Sequence, residues 1–141
     1  MKNLRIYSGY QIVEKKKIHQ LVKHLSDELE FIINDLEINF ISSTKIEKIN
    51  SEYLNHHYST DIITFNYSEK QKILDGEIFI SVDDAAANAK KFNVSLLEEI
   101  TRLIIHGILH LLGYDDQERK DKIKMKRQEN KLLNTLKFIL L

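Results

Sequence analysis

Hydrophobic and polar residues alternate in three of four short stretches of this chain, and the remaining stretch, residues 61–67, is rich in β-branched and aromatic residues. A two-residue period places every second side chain on one face, which is typical of a strand buried on one side. A polar connection of moderate length joins the third and fourth stretches and predicts a β-hairpin. The four predicted strands are residues 4–8, 36–42, 61–67 and 73–82.

Between these stretches, apolar residues recur every three or four positions, which predicts five helices. The fourth is apolar nearly all round in its second half and is therefore expected to lie in the centre of the fold. The fifth is mostly polar, with its apolar stripe predicted at Ile123, Met125 or Lys126, Asn130, Leu133 and Leu136. The predicted helices are residues 13–29, 44–54, 83–92, 96–112 and 117–136.

Short polar side chains mark the predicted N-terminal ends of three of these helices. Ser43 or Thr44 is expected to cap the second helix, Asp83 or Asp84 the third, and Ser95 the fourth. Four strands and five helices without a linker or repeat predict an α+β fold in a single domain, residues 1–141. In that fold, helices pack on a small mixed four-stranded sheet.

Composition and charge narrow the possible functions. Of the 141 residues, 43% are hydrophobic and 30% are charged, with a net charge of zero, so no strong overall field for nucleic acid is present. The absence of cysteine excludes disulfides, thiolate zinc sites and a thiol nucleophile. No apolar run reaches the roughly 20 residues that span a membrane, and the first ten residues lack the apolar core of a signal peptide. These features predict a cytoplasmic protein without membrane contact.

The chemistry is expected in the stretch LIIHGILHLLGYDD, residues 103–116. His106 and His110 are four residues apart, so both imidazoles lie on one face of the predicted helix. Gly113 is expected to end the helix in a left-handed conformation and to bring back Asp115 and Asp116. Two imidazoles and one carboxylate form a normal ligand set for catalytic zinc. The alternative is one surface histidine and one hydrogen-bonded core histidine, without a metal.

The glycine beside the first histidine carries two further inferences. Gly107 lowers helix propensity by about 1 kcal/mol relative to alanine, so we expect it to serve close packing or access. It also occupies the place of the glutamate in the zinc-protease motif HExxH, so the general base of that mechanism is missing. The missing glutamate therefore argues against peptide hydrolysis.

The sequence HGILHLLGYDD resembles the H-G-x-L-H-L-x-G-Y-D-H signature of the YbeY family of endoribonucleases and rRNA maturation factors. TDIITF at residues 60–65 is similar to that family's T-D-V-L-S-F strand, and DGEIFIS at residues 75–81 is similar to its G-D-I-x-I-S strand. Met125 and Glu129 fall where the family's last helix carries Met-x₃-E. The matching segments cover roughly residues 55–130 and occur in the family's order.

The resemblance implies a zincin-like, metal-dependent hydrolase. Its three metal ligands and catalytic residues would be His106, His110 and Asp116, holding one Zn²⁺. The ion would lower the pKa of its bound water toward ~7 and stabilise charge on the scissile phosphate. The implied function is cleavage of single-stranded RNA in ribosomal RNA maturation, notably at the 3′ end of the small-subunit RNA, and in ribosome quality control. The implied partners are ribosomal RNA and the ribosome or its proteins.

Two departures from the family pattern matter. Asp116 replaces the usual third histidine; it adds one negative charge, which predicts activity at higher pH than in a three-histidine relative. The family's arginine before its T-D-V-L-S-F strand is also missing, because this segment reads NHHYST. His56 and His57 are the candidates to replace it, and a polar surface loop is the alternative. The missing arginine favours a second hypothesis, a non-catalytic ribosome-assembly factor with a structural metal.

Charged residues elsewhere supply weaker candidates. Residues 117–141 contain eight basic and three acidic residues, a balance of +5, which predicts either an RNA-phosphate track or a solvated helix face. Asp61 and Glu77 are candidates to support the site, although structural roles are favoured, and Asp115 is a weak candidate for the general base. The basic residues are Arg119, Lys120, Lys122, Lys124, Lys126, Arg127, Lys131 and Lys137.

Overall fold

A computed structural model describes residues 3–56 and 58–141. All nine predicted elements are present in the described chain, and the last three are helices. In chain order they are β1 (Leu4–Ser8), α1 (Lys15–Leu29), β2 (Ile32–Ile41), α2 (Ser43–Leu54), β3 (Ile62–Asn66), β4 (Ile73–Ser81), α3 (Val82–Phe92), α4 (Leu96–Leu111) and α5 (Arg119–Leu136).

The strands form one mixed sheet in the order β1-β2-β4-β3. β1 and β4 both pair with β2 in parallel, and β3 pairs with β4 in antiparallel. The predicted hairpin and the predicted α+β class are therefore confirmed. β2 starts earlier than predicted because Ile32 already pairs with Ile73 of β4, although Ile32 itself is exposed and breaks the alternating pattern.

Helix α4 lies directly on β3 and β4, as the apolar character of its sequence predicts. Gly107 allows this close approach: a Cβ added there would lie 3.0 Å from Ile62 Cδ1 and 3.1 Å from Ile78 Cδ1. The packing role expected for this glycine is thus confirmed. Because α4 is anchored in the core, its one polar face is held in a fixed position relative to the sheet.

Two of the three predicted helix caps are wrong. Ser42 caps α2 by accepting a hydrogen bond from Lys45 N, and Ser81 caps α3 by accepting one from Asp84 N. In each case the serine that ends or follows the preceding strand takes the capping role before the residues that the sequence favoured. Ser95 caps α4 as predicted, accepting from Glu98 N.

The predicted apolar stripe of α5 is confirmed at Met125 and Leu136 but not at Ile123, which is 50% exposed. The buried residues of α5 are Met125, Glu129, Leu132 and Leu136. The prediction left out Glu129, whose carboxylate is buried among charged partners on α4 and α5. Among the described residues, no helix combines the length and the apolar composition that crossing a membrane requires.

Candidate metal centre

The polar face of α4 carries both histidines of the HxxxH pattern. His106 and His110 lie one turn apart, with ring centroids separated by 4.8 Å and ring planes at 72°. Their side chains are 22% and 28% exposed, so both reach the edge of the core. Glu99 and Arg102 lie seven and four residues before His106, which places them on the same helix face. The alternative of one buried and one surface histidine is thereby excluded.

The turn after α4 brings Asp116 to these histidines. Gly113 has φ = +102°, and its amide donates to His110 O at 3.0 Å while Tyr114 N donates to Leu109 O at 3.0 Å. The predicted left-handed glycine at the helix end is confirmed. The chain then reverses, and Asp116 Oδ2 lies 3.5 Å from His110 Nε2.

His106, His110 and Asp116 each present one ligand atom, and these atoms lie within 4.8 Å of one another. The structure therefore brings together the three residues that the sequence singled out. His106 and Asp116 also line an open cavity of about 260 Å³, together with Lys122, Met125 and Lys126 of α5 and neighbouring α4 groups. The cluster is compatible with a metal ion that external molecules can reach.

Glu129 of α5 fixes the orientation of His106. Its carboxylate is 1% exposed and accepts a hydrogen bond from His106 Nδ1 at 2.6 Å, which leaves His106 Nε2 for another partner. Burial raises the pKa of Glu129. The hydrogen bond from His106 and the charges of Lys126 and Arg102 outweigh burial, so the pKa falls to about 2. Glu129 is therefore a carboxylate that stays ionised inside the protein.

Arg102 joins this carboxylate to a second buried one. The guanidinium donates to both oxygens of Glu99 at 2.8 and 2.6 Å and to Glu129 Oε2 at 3.3 Å. The hydrogen bond to Glu99 is the main reason why the pKa of Arg102 is raised, despite its burial. Asn88 donates to Glu99 and also to Asp61, whose carboxylate lies 4.0 Å from the guanidinium. Asp61 thus belongs to the network behind the site.

The second histidine has a different electrostatic setting. Burial lowers the pKa of His110, and the nearby His106 lowers it further, while Asp116 partly offsets both effects. A neutral imidazole is the form that ligates metals. The environment of His110 therefore favours the ligating form.

Several weaker candidates lie elsewhere. Asp115 accepts a hydrogen bond from Gln117 N, lines a separate cavity with Asp121 and Lys124, and is not part of the three-residue cluster. Glu77 and Ile78 are adjacent in β4, so their side chains lie on opposite faces of the sheet. Ile78 packs against α4, whereas Glu77 lies on the other face beside Tyr67.

Of the two candidates to replace the missing arginine, the structure describes His56 alone. His56 stacks on Tyr58, with ring centroids 5.3 Å apart, and is not among the residues that line the cavity at the cluster. His57 lies outside the described residues. The exposed cations that line the cavity are Lys122 and Lys126 of α5.

Sequence reasoning missed the roles of Glu99, Arg102 and Glu129. A signal was available for the first two, because Glu99, Arg102 and His106 recur at helical spacing within an otherwise apolar helix. Charged residues are seldom fully buried unless they are paired, so this spacing indicates a buried ionic network.

Known proteins resemble this chain in both sequence and fold. A family model described as endoribonuclease YbeY matches residues 7–137. The endoribonuclease YbeY of Azobacteroides pseudotrichonymphae is 38% identical over 130 residues, which cover 92% of this chain and 93% of that protein. The endoribonuclease YbeY of Parabacteroides distasonis is 40% identical over 124 residues, covering 88% and 87%. The solution structure of TM1509 from Thermotoga maritima superposes with a TM-score of 0.67 at 28% identity, covering 94% of this chain and 88% of that one.

Proposed function

The chain belongs to the YbeY family of endoribonucleases, and on this basis we propose that it is a zinc-dependent endoribonuclease specific for single-stranded RNA. It hydrolyses phosphodiester bonds in the maturation of ribosomal RNA, at the 3′ end of the small-subunit RNA, and takes part in ribosome quality control. Residues 1–141 act as one hydrolase domain in the cytoplasm, with ribosomal RNA and the ribosome as partners.

The observation that carries the proposal is the convergence of three ligand atoms within 4.8 Å beside an open cavity. His106, His110 and Asp116 would hold one Zn²⁺, because two imidazoles and a carboxylate are a common catalytic zinc set. Bound there, the ion would activate water and stabilise charge on the scissile phosphate.

The protein's own contribution is orientation of the ligands. Glu129 accepts a hydrogen bond from the protonated Nδ1 of His106. This contact favours the tautomer of His106 that has a lone pair on Nε2. Arg102 and Lys126 hold the carboxylate of Glu129 in place, at 3.3 and 3.1 Å respectively. The buried carboxylate thus works as a positioning group, one step removed from the reacting atoms.

Because the cluster is open to solvent, it favours a catalytic metal over the structural metal of an assembly factor. Structural zinc sites are closed by four protein ligands, whereas catalytic sites keep one position for water or substrate. The side chain of Asp116 is 46% exposed, and the cluster offers three protein ligands among the described residues. Peptide hydrolysis stays disfavoured, because Gly107, at the position of the protease glutamate, is packed against β3 and β4.

Metal analysis and RNA cleavage by three purified proteins test this proposal. We expect the wild type to contain about one zinc per chain and to cleave a single-stranded ribosomal RNA fragment. His110→Ala should lose both zinc and cleavage, whereas His24→Ala, which changes an exposed histidine of α1, should keep both. Cleavage by zinc-free His110→Ala protein would reject the zinc-dependent mechanism. A full zinc content without any cleavage of RNA in the wild type would favour the assembly factor.

A further inference from the structure

A groove between α4 and α5 runs from the candidate metal centre toward the end of α3. Its first part is the cavity that His106 and Asp116 line. Its second part, also about 260 Å³, is lined by Phe92, Leu133 and neighbouring α4 residues. Arg102 and Lys126 line both parts, so the two cavities lie side by side. We refer to this feature as the α4–α5 groove.

The accessible charge beside the metal centre is mainly positive. Glu99 and Glu129 are 2% and 1% exposed, and their carboxylates are compensated by Arg102 and other donors. Lys122 is exposed at the cavity and forms no ion pair among the described residues, while Lys126 pairs with Glu129 and keeps 59% of its side chain exposed. The accessible carboxylates along the groove are those of Glu98, which lies 4.0 Å from Lys137, and Asp116, a candidate ligand.

An exposed aromatic ring lies at the far end of the groove. Phe92 is the last residue of α3, lines the second cavity and is 56% exposed, so one part of its ring is open to a ligand. Lys91 Nζ lies 5.6 Å from the centroid of this ring. A cationic groove combined with an exposed aromatic ring is the arrangement by which proteins hold single-stranded nucleic acids.

We propose that the α4–α5 groove binds the RNA strand next to the scissile phosphate, with Lys122 and Lys126 contacting phosphates and Phe92 stacking on an unpaired base. The choice of RNA as the ligand rests on the proposed function. Stacking on Phe92 requires a base face that is free of neighbouring bases, so this contact selects single strands over duplexes. The α5 lysines take the phosphate-binding role for which the family's arginine is missing.

Equilibrium binding of a fluorescein-labelled 12-nucleotide oligouridylate to metal-free protein in EDTA tests the stacking contact. The anisotropy assay needs no cleavage. Phe92→Ala should weaken binding about tenfold, because loss of one base–aromatic stack has an effect of this order, and Phe92→Trp should bind like the wild type. Phe138→Ala is the matched control, because Phe138 is 68% exposed with Lys137 at 5.8 Å and is not among the residues lining the groove.

A second arm identifies the base that stacks. An abasic nucleotide is moved along the oligouridylate one position at a time. At one position it should weaken binding by wild-type protein about tenfold and have little further effect on Phe92→Ala, because both changes remove the same contact. Additive losses at every position, or unchanged affinity of Phe92→Ala, would overturn the role of Phe92.

The salt dependence of binding tests the lysines. Each phosphate contact on a single strand contributes about 0.7 to the slope of log affinity against log salt. Lys122→Gln should lower that slope by about this amount, whereas Lys131→Gln, an exposed lysine elsewhere on α5, should leave it nearly unchanged. Equal effects of the two substitutions would overturn the phosphate contact at Lys122.

Cleavage assays on the same variants separate this inference from the proposed function. In an active nuclease, Phe92→Ala should raise KM about tenfold with little change in kcat. If the wild type binds RNA in the groove as described but never cleaves it, the groove stands and the nuclease proposal fails. If the wild type cleaves RNA while Phe92→Ala binds and cleaves normally, the nuclease stands and the groove proposal fails.

Discussion

His106 lies on a buried helix and donates to a carboxylate that is 1% exposed, whereas Asp116 lies in a loop with 46% of its side chain exposed. Behind His106, Glu129 and Arg102 extend the contacts through the interface between α4 and α5. Asp116 is placed by the turn at Gly113 and by its contact with His110. The two sides of one cluster are therefore supported by different parts of the fold.

Because of this difference, we expect the two sides of the cluster to contribute differently to folding stability and to metal affinity. The network behind His106 is part of the packed interior, so it forms when the chain folds, with or without an ion. The position of Asp116 contributes little to the interior, because its one short contact is 3.5 Å long and partly solvated. Damage on the His106 side should therefore reduce stability as well as metal affinity, whereas damage on the Asp116 side should reduce metal affinity alone.

The largest effect is expected from Glu129→Ala. Removal of this carboxylate leaves the buried side of His106 without its partner and takes away one of the two buried carboxylates that Arg102 contacts, which should lower the free energy of unfolding of metal-free protein by about 3–5 kcal/mol. Urea denaturation measures the change. Glu118→Ala, which changes a largely exposed carboxylate at the start of α5, should stay within about 0.5 kcal/mol of the wild type.

Glu129→Gln keeps the shape and one oxygen acceptor for His106, so it should recover part of the lost stability. Equal stabilities of Glu129→Ala and Glu118→Ala would contradict the role assigned to the buried network.

Asp116→Ala should lower zinc affinity strongly and change the stability of the metal-free protein little. Unfolding of the metal-free protein should change by less than about 0.5 kcal/mol, because the side chain is half exposed. Zinc affinity should fall by more than the roughly 10–100-fold that loss of a supporting residue causes, because a direct ligand is removed. Competition with a chromogenic chelator measures this affinity.

Asp115→Ala is the matched control for the adjacent carboxylate, which lines a separate cavity, and should retain near-normal zinc affinity. A loss as large as that of Asp116→Ala would show that Asp115 also holds the ion. Strong destabilisation of metal-free Asp116→Ala would remove the contrast between the two sides.

The smallest effect is expected from Asp116→His, which keeps a ligand but changes its charge. A neutral imidazole leaves one more positive charge on the bound ion, so groups attached to the ion lose protons more readily. The rising limb of the pH–rate profile should move to lower pH by roughly one unit, as a single nearby charge does in proteins. The profile of zinc-loaded protein on single-stranded RNA measures this shift, and coincident profiles of wild type and variant would contradict the prediction.

The elements of the fold were predictable because burial on one face produces a regular pattern in the sequence. The helix starts were less predictable, since several short polar residues compete at each boundary. At α3, Ser81 takes the cap while Asp83 accepts a hydrogen bond from Ser43 N at the start of α2. That contact joins residues 40 positions apart, and no local pattern reports it.

The candidate ligands were predictable for a related reason. Local geometry brings His106, His110 and the Asp115–Asp116 pair together within one helix end and one turn, and the family resemblance selected Asp116 from that pair. Glu129 is 23 residues from His106 and meets it only because α5 packs on α4. The family's Met-x₃-E pattern marked its position, but a glutamate on a polar helix is usually solvated, so its burial required the tertiary structure.

The contact between Glu129 and His106 also imposes an order on the assembly of the site during synthesis. α4 leaves the ribosome before α5, and N-terminal parts of a chain generally fold first. A nascent chain that ends between these helices already carries His106, His110 and Asp116, but it lacks the carboxylate that orients His106. A fully oriented cluster therefore forms only after α5 has docked, so an unfinished chain carries an incomplete centre.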